Sequence, residues 1–266
     1  MVLQGDTLWI GSLNGLYTYQ LKSRQLNHFD SKQTGLPHNT IYSIIHTKDN
    51  QIYIGTYNGL CRYVQASGKF ENILLPVNRG GSNLFVNSLL EDTTRQCIWI
   101  GMEGYLFQYN PTTGEMKAIE VFHNNSIKSL ALDGDENLLA GTDNGLYVYQ
   151  NDKEPLQHII HDSRNIQSLT NNIIWNIFSD QEHNIWLGTD YGISLSRYNS
   201  ALQFVPISQI TGTGDGNQFY SLFRDSKGFY WFGGTNGVIR FTHPAGNKHD
   251  AIWYRMGDKN HPLSHN

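Results

Sequence analysis

An all-β fold, a β-propeller of four-stranded antiparallel blades with about six blades visible, is predicted by three observations. The first is a short motif that recurs six times: Leu8-Trp9-Ile10-Gly11, Ile52-Tyr53-Ile54-Gly55, Ile98-Trp99-Ile100-Gly101, Leu138-Leu139-Ala140-Gly141, Ile185-Trp186-Leu187-Gly188 and Tyr230-Trp231-Phe232-Gly233. Its glycines fall 44, 46, 40, 47 and 45 residues apart. The second is another glycine four residues on (Gly15, Gly59, Gly145, Gly192, Gly237), or three on at Gly104. The third is composition: charged residues are only 16 %, while aromatics reach 12 % and there are 26 glycines, a mixture of rings and turns with few charges.

The second repeat shows how each element is read. Residues 39–47 are rich in β-branched and aromatic side chains and close on Lys48-Asp49-Asn50, a turn signature. Residues 51–55 form a second strand, and Thr56-Tyr57-Asn58-Gly59 is a tight turn in which Gly59 supplies a positive φ. Residues 60–64 and 69–74 are the third and fourth strands. In the other repeats, first strands are expected at 84–91, 126–132, 173–179 and 218–224. Fourth strands are expected at 26–29, 116–119, 156–160 and 204–207. Third strands end on Tyr19, Tyr63, Tyr109, Tyr149 and Phe241, with Ser196 and then Tyr198 in repeat five. First strands such as Ile41, Ile44, Ile45 do not alternate cleanly, which reads as burial on both faces.

Residues 1–266 therefore read as one propeller region, with blade hallmarks near 8–19, 52–63, 98–109, 138–149, 185–198 and 230–241. The chain starts in phase with a second strand, with no inner strand before Trp9. It ends on Pro262-Leu263-Ser264-His265-Asn266, which matches segments that lead into first strands. The expectation is five complete blades and a partial sixth, a fragment truncated at both ends; a seven-bladed ring would need roughly 310 residues.

A net charge of −4 supplies no basic footprint for nucleic acid. No apolar run approaches the roughly 18 residues of a membrane span. The start, Met1-Val2-Leu3-Gln4-Gly5-Asp6, has neither the basic nor the apolar region of a signal peptide. Cys61 and Cys97 occupy non-equivalent positions in neighbouring repeats and read as two buried thiols.

The recurring Trp and Gly are read as scaffold: each ring supplies about 150–250 Å² for blade packing, and the hallmark glycine lets the chain turn sharply. Binding residues are sought on what varies between repeats, the loops held by a rigid scaffold. The loops after each hallmark glycine and the loops before each first strand share one end of the blades. They include Tyr57, Tyr191 and Arg79, the last in Asn78-Arg79-Gly80-Gly81-Ser82. Aligned first strands place Tyr42, Asn87, Lys128, Trp175 and Tyr220 in one column, followed by the small residues Ser43, Ser88, Ser129, Asn176 and Ser221. Rings beside hydrogen-bonding groups suit a sugar, whose apolar faces stack while its hydroxyls need partners. The same column would equally serve blade packing, with Lys128 reaching solvent. The candidate ligand-binding residues are therefore Tyr42, Tyr57, Arg79, Asn87, Lys128, Trp175, Tyr191 and Tyr220.

No catalytic residue, metal or cofactor is assigned. His158 and His161 lie in strand and loop and read as solvated surface rather than a metal site. No H-E-x-x-H, Walker A or G-x-S-x-G occurs. Gly212 to Gly216 reads as a loop, and Asp133-Gly134-Asp135-Glu136-Asn137 as a solvated hairpin turn.

The composite pattern, Asn172 to Ile177 with Ile185-Trp186-Leu187-Gly188-Thr189, and Ile52 to Tyr63, resembles the two-component regulator propeller repeat over essentially the whole chain. Leu139, the shortened turn at Gly104 and the third strand of repeat five depart from it. The resemblance implies the periplasmic sensor region of a hybrid two-component system histidine kinase. Its ligand would be an oligosaccharide or glycan breakdown product, and its partners the remaining sensor domains of the same polypeptide and a second copy in a dimer. It implies no enzyme activity in this chain, since the kinase would reside in other domains. The alternatives are a propeller lyase or lactonase, which would gather carboxylates and commonly a metal around the axis, and a protein-interaction scaffold.

Overall fold

The structure, a computed structural model, describes residues 1–77, 84–119, 125–150, 157–198, 204–206, 217–242 and 251–264. Among them there is no helix, and so none long and apolar enough to cross a membrane. The chain divides into two compact units, Met1–Ile127 and Lys128–Asn266.

In the first unit, blade one comprises Val2–Gln4, Thr7–Ser12, Gly15–Gln20 and Leu26–Phe29. Blade two comprises Ile41–His46, Ile52–Thr56, Gly59–Val64 and Lys69–Ile73, and blade three Val86–Asp92, Cys97–Met102, Tyr105–Tyr109 and Met116–Ile119. The unit boundary falls at the start of blade four: Ile127–Leu132, Leu138–Thr142, Gly145–Tyr149 and Gln157–Ile159. Blade five comprises Ile174–Ser179, Ile185–Thr189, Gly192–Ser196 and Phe204–Pro206. Blade six comprises Phe219–Arg224, Tyr230–Gly234, Gly237–Phe241, Ile252–Met256 and Pro262–Leu263. Strands adjacent in sequence are adjacent in each sheet, the meander of propeller blades. The ladders are antiparallel, apart from the two-residue last strand, which runs parallel to Ile252–Met256.

Both expectations about the ends are corrected. An inner strand does precede Trp9: Val2–Gln4 pairs with Thr7–Ser12, Val2 opposite Trp9. The sixth blade is not partial, because Ile252–Met256 supplies its fourth strand, Trp253 opposite Ile239. The first strands of blades three, five and six also start later than expected. The residues before them give their carbonyls to loop N–H groups instead of to the ladder: Leu84 accepts from Gly59, Ile173 from Asp190 and Gln218 from Thr235.

Burial on both faces belongs to the second strands of blades two to five, not to the first strands. Every residue of Ile52–Thr56, Cys97–Met102, Leu138–Thr142 and Ile185–Thr189 is buried. First strands are buried at intervals of three, as at Ile174 and Ile177 or Phe219 and Leu222. These pairs belong to cores formed between one blade and the next. Trp9 and Leu16 pack with Ile41, Ile52 and Ile54; Tyr53 and Leu60 pack with Val86, Leu89 and Ile98. In the second unit, Leu139 and Leu146 pack with Ile174 and Ile177, and Trp186 and Leu195 with Phe219, Leu222 and Phe232. Trp9, Trp99 and Trp186 are buried, as their packing role requires, whereas Trp231 is only half-buried.

The hallmark glycine does not turn the chain. It lies inside the second strand, and its role is close approach of the next blade. A Cβ on Gly55 would collide with the hydroxyl of Ser43 and lie 2.6 and 2.7 Å from Cγ1 and the carbonyl oxygen of Val86. On Gly188 it would lie 2.5 Å from the carbonyl oxygen of Phe219. The following glycine is the turn residue, with φ of 118° at Gly59.

In blades three to six the hairpin between first and second strands is braced by a carboxylate. Asp180 is buried and accepts from the indole N–H of Trp186 at 2.8 Å, from the side-chain amide of Asn184 at 3.0 Å and from the backbone N–H groups of Glu182 and Asn184. Asp225 holds Trp231 in the same way at 2.8 Å, and Asp92 holds Trp99 at 3.0 Å while pairing with Arg95 at 2.6 Å. Where Leu139 replaces the ring, Asp133 still accepts from the backbone of Asp135 and Asn137, so this acidic cluster is a hairpin brace.

Candidate ligand-binding site

The variable column coincides with β-bulges. Ile41 pairs with Thr56 and Ser43 with Gly55, leaving Tyr42 as the extra residue. Trp175 and Tyr220 are extra in the same way, between Ile174 and Asn176 and between Phe219 and Ser221. Asn87 occupies the matching break between Val86 and Ser88. A bulge leaves one residue outside the ladder and re-aims its side chain, which is why these residues escape the alternation that buries their neighbours. It also accounts for the three-residue interval, since the residues before and after the bulge face the same core. The small residues that follow stitch the blades: the Ser43 hydroxyl donates to the Val86 carbonyl at 3.2 Å, and the Ser129 hydroxyl accepts from the Ile177 N–H at 2.9 Å.

In the second unit, Lys128, Trp175 and Tyr220 come together. The rings of Trp175 and Tyr220 meet edge to face, 5.2 Å between centroids at 72°. The Lys128 ammonium lies 4.3 Å from the Trp175 ring centre. The Trp175 indole N–H donates to Oδ1 of Asp190 at 2.8 Å, and the Gln218 amide donates to the same oxygen at 2.8 Å. The Tyr220 hydroxyl closes the chain on Oε1 of Gln218 at 2.5 Å. Tyr220 is 42 % exposed, so one ring presents its surface while the other is fixed behind it. Asp190 and Gln218 join the candidate residues here and were not singled out from the sequence; their signal was position, one in the loop after Gly188 and one just before the bulged strand. Tyr191 is exposed and makes no ring contact with this group among the described residues; its backbone N–H is held by the Thr189 hydroxyl at 3.1 Å.

In the first unit, Tyr42 and Tyr57 join Phe85 and His38, neither of which was singled out. Tyr57 lies 4.5 Å from Phe85, edge to face, and 4.8 Å from His38, with Tyr42 6.4 Å from Tyr57. Burial and the adjacent Tyr57 push the Tyr42 phenol above its ordinary pKa. Asn87 is engaged in the scaffold: its amide donates to the Ile127 carbonyl at 3.0 Å. Arg79 lies outside the described residues, as does Gly212 to Gly216.

The loops that carry Tyr57 and Tyr191 are stapled by the threonine of the motif, whose hydroxyl donates to the carbonyl of the turn glycine. Thr56 to Gly59, Thr142 to Gly145 and Thr189 to Gly192 are each 2.9 Å. In blade six Gly234 takes the threonine's place, and the buried Asn217 fills in, its Oδ1 accepting from Thr235 and from the Asn236 N–H. The histidines singled out are exposed, as expected, and each is also engaged by a neighbour. His158 stacks on Tyr147 at 4.1 Å and meets the Asn144 carbonyl, and His161 meets the Leu169 carbonyl. Among the described residues no group of His, Cys, Asp or Glu is arranged to hold a metal. Clefts also line the far end of the first unit's blades, one of about 340 Å³ between Thr47, Tyr53, Asp92 and Thr112. They contain none of the candidate residues.

The fold thus defines a β-propeller protein whose varied side chains project from bulged first strands. The family model described as two component regulator propeller matches residues 35–58, 168–191 and 213–236. It is 82 % identical to the extracellular domain of BT4673 from B. thetaiotaomicron, a protein assigned to a hybrid two component system, with a TM-score of 0.73 over 99 % of this chain and 36 % of that one. It is 26 % identical to histidine kinase P4 of Formosa agariphila, over 89 % of this chain. The chain spans 18 % of that kinase's length. Virginiamycin B lyase of Staphylococcus aureus, 13 % identical with a TM-score of 0.70 over 97 % of this chain, shares the fold alone.

Proposed function

We propose that this chain is a ligand-sensing part of an extracytoplasmic propeller in a hybrid two-component system, and that it responds to an oligosaccharide or glycan breakdown product. The sensor role and an extracytoplasmic location are supported by the likeness to the BT4673 extracellular domain, and the periplasm is the compartment we propose. The kinase chemistry belongs to other parts of such a polypeptide. The partners of this region are those parts and a second copy of the receptor.

The observation that carries the ligand class is the Trp175–Tyr220 pair, an edge-to-face corner with an exposed ring, bordered by a carboxylate, an amide, a hydroxyl and an ammonium. Apolar sugar faces stack on such rings, and hydroxyls need the paired donors and acceptors around them. Tyr42, Tyr57 and Tyr191 are proposed to contribute through their exposed or half-exposed rings. Asn87 contributes only by holding the strand. A thermal-shift screen of the full chain against neutral and acidic oligosaccharides tests the reading, because a ligand that binds only the native state raises the melting point by mass action. Absence of any shift across the screen would refute it.

A further inference from the structure

Lys128 is the only cation in the Trp175–Tyr220 corner among the described residues, and its charge is not matched. Lys128 is half-buried, its ammonium lies 4.3 Å from the Trp175 ring centre, and among the described residues no carboxylate pairs with it. The carboxylate that borders the corner, Asp190, is engaged instead by two neutral donors, the Trp175 indole and the Gln218 amide, both on Oδ1. Some cations elsewhere sit in ion pairs, while Arg240 and Arg255, like Lys128, lie over aromatic rings. Arg224 meets Glu182 at 2.7 Å, Arg62 meets Glu71 at 2.7 Å and Arg95 meets Asp92 at 2.6 Å. The mild net charge of −4 means that Lys128 is not one of a field of surplus basic groups.

An ammonium held over a ring can direct only part of its three N–H donors at that ring, and the attraction to the ring is weaker than that of a desolvated ion pair. The ring positions the ammonium without neutralising it. Trp175 is fixed in turn by its own N–H on Asp190 and by its contact with Tyr220, so the ammonium is held against one ring of a pair whose other ring is exposed.

We propose that the ligand of this corner is an anionic sugar: a residue that stacks on Tyr220 and places a carboxylate or sulfate against the Lys128 ammonium, with Oδ2 of Asp190 accepting a hydroxyl. This rests on the reading of the corner as an oligosaccharide site and adds the charge of the ligand to it. Lys128 acts as the residue that distinguishes acidic from neutral sugars.

The test compares matched probes on the full chain by calorimetry. One pair is oligogalacturonides against the same chains with their carboxyls reduced to neutral galactose units; a second pair is sulfated chondroitin disaccharides against their desulfated forms. The expected result is that one acidic member binds about tenfold or more tightly than its neutral counterpart. The preference is lost in Lys128→Gln, restored in Lys128→Arg and weakened by added salt. The first pair reports a carboxylate and the second a sulfate. Equal affinity for acidic and neutral members, or an acidic preference untouched by Lys128→Gln, would overturn the proposal while leaving the oligosaccharide reading in place. Binding of none of the probes, with none in the broader neutral screen, would overturn both. The matched comparison is made on the unsubstituted protein, so it decides the matter even if a Lys128 variant fails to fold.

Discussion

The hydroxyl of Tyr230 in the sixth blade donates to the carboxylate of Asp180 in the fifth, 2.9 Å away. The same oxygen accepts from Trp186, so one carboxylate ties a hairpin, its packing ring and the next blade together. Replacing Asp180 by Ala leaves two buried donors without an acceptor, each costing about 1–3 kcal/mol. Tyr230→Phe removes a donor and leaves other partners on the carboxylate, so it should cost about 1 kcal/mol. Urea denaturation checks both, with the midpoint falling more for Asp180→Ala than for Tyr230→Phe.

The braces also make stability fall in acid. At Asp180 and Asp92, burial works to raise the pKa, but the donors from Trp186 and Asn184, and from Trp99 and Arg95, outweigh it. Both carboxyls titrate below the ordinary aspartate range. As pH falls, the unfolded chain takes up these protons first. Their contribution is thus complete above the ordinary aspartate pKa and is lost as pH drops through the depressed native values. Melting temperature followed from neutral pH into acid should decline over that window, and less steeply in Asp180→Ala.

The hallmark glycines should not respond alike to alanine. Gly188→Ala brings a methyl 2.5 Å from the Phe219 carbonyl of the next blade and should cost about 1–3 kcal/mol. A Cβ at Gly233, the same motif position in blade six, meets nothing nearer than the Ser221 Cβ at 3.7 Å. Gly233→Ala should leave the melting temperature almost unchanged. Equal losses at the two positions would contradict the role of close approach.

These contrasts mark what could be read from the chain itself. The second strands were legible because an aromatic-glycine motif flanked by apolar residues is also what two-sided burial requires, and the turn at Gly59 was legible because its glycine needs a positive φ. The strand Val2–Gln4 was not, since three residues are too few to display a pattern. First strands misled for a specific reason. The bulge at Tyr42, Trp175 and Tyr220 shifts the phase, so Ile174 and Ile177 face one core although they are three apart. The aligned column nevertheless located those residues, and it placed Lys128 and Asn87 beside them. What it missed was their hydrogen-bonding partners, Asp190 and Gln218, because a loop and a strand start meet only after folding.

Cys61 and Cys97 are both free and buried, and burial raises both thiols above their ordinary pKa. Their thiolates are therefore scarce in the native state. Labelling with a maleimide should be slow in the native protein and rapid in denaturant, with two thiols counted with or without prior reduction.

The central claim is that the recurring tryptophans build the blades while the bulged column recognises the ligand. It is tested most directly by titrating the full chain, by calorimetry, with an oligosaccharide that raises its melting point, and repeating this with Trp175→Ala and Tyr220→Ala. The account predicts binding weakened by about tenfold or more, from the loss of ring stacking worth roughly 1–3 kcal/mol, while circular dichroism shows the β-sheet intact. Unchanged affinity in both folded variants would contradict it.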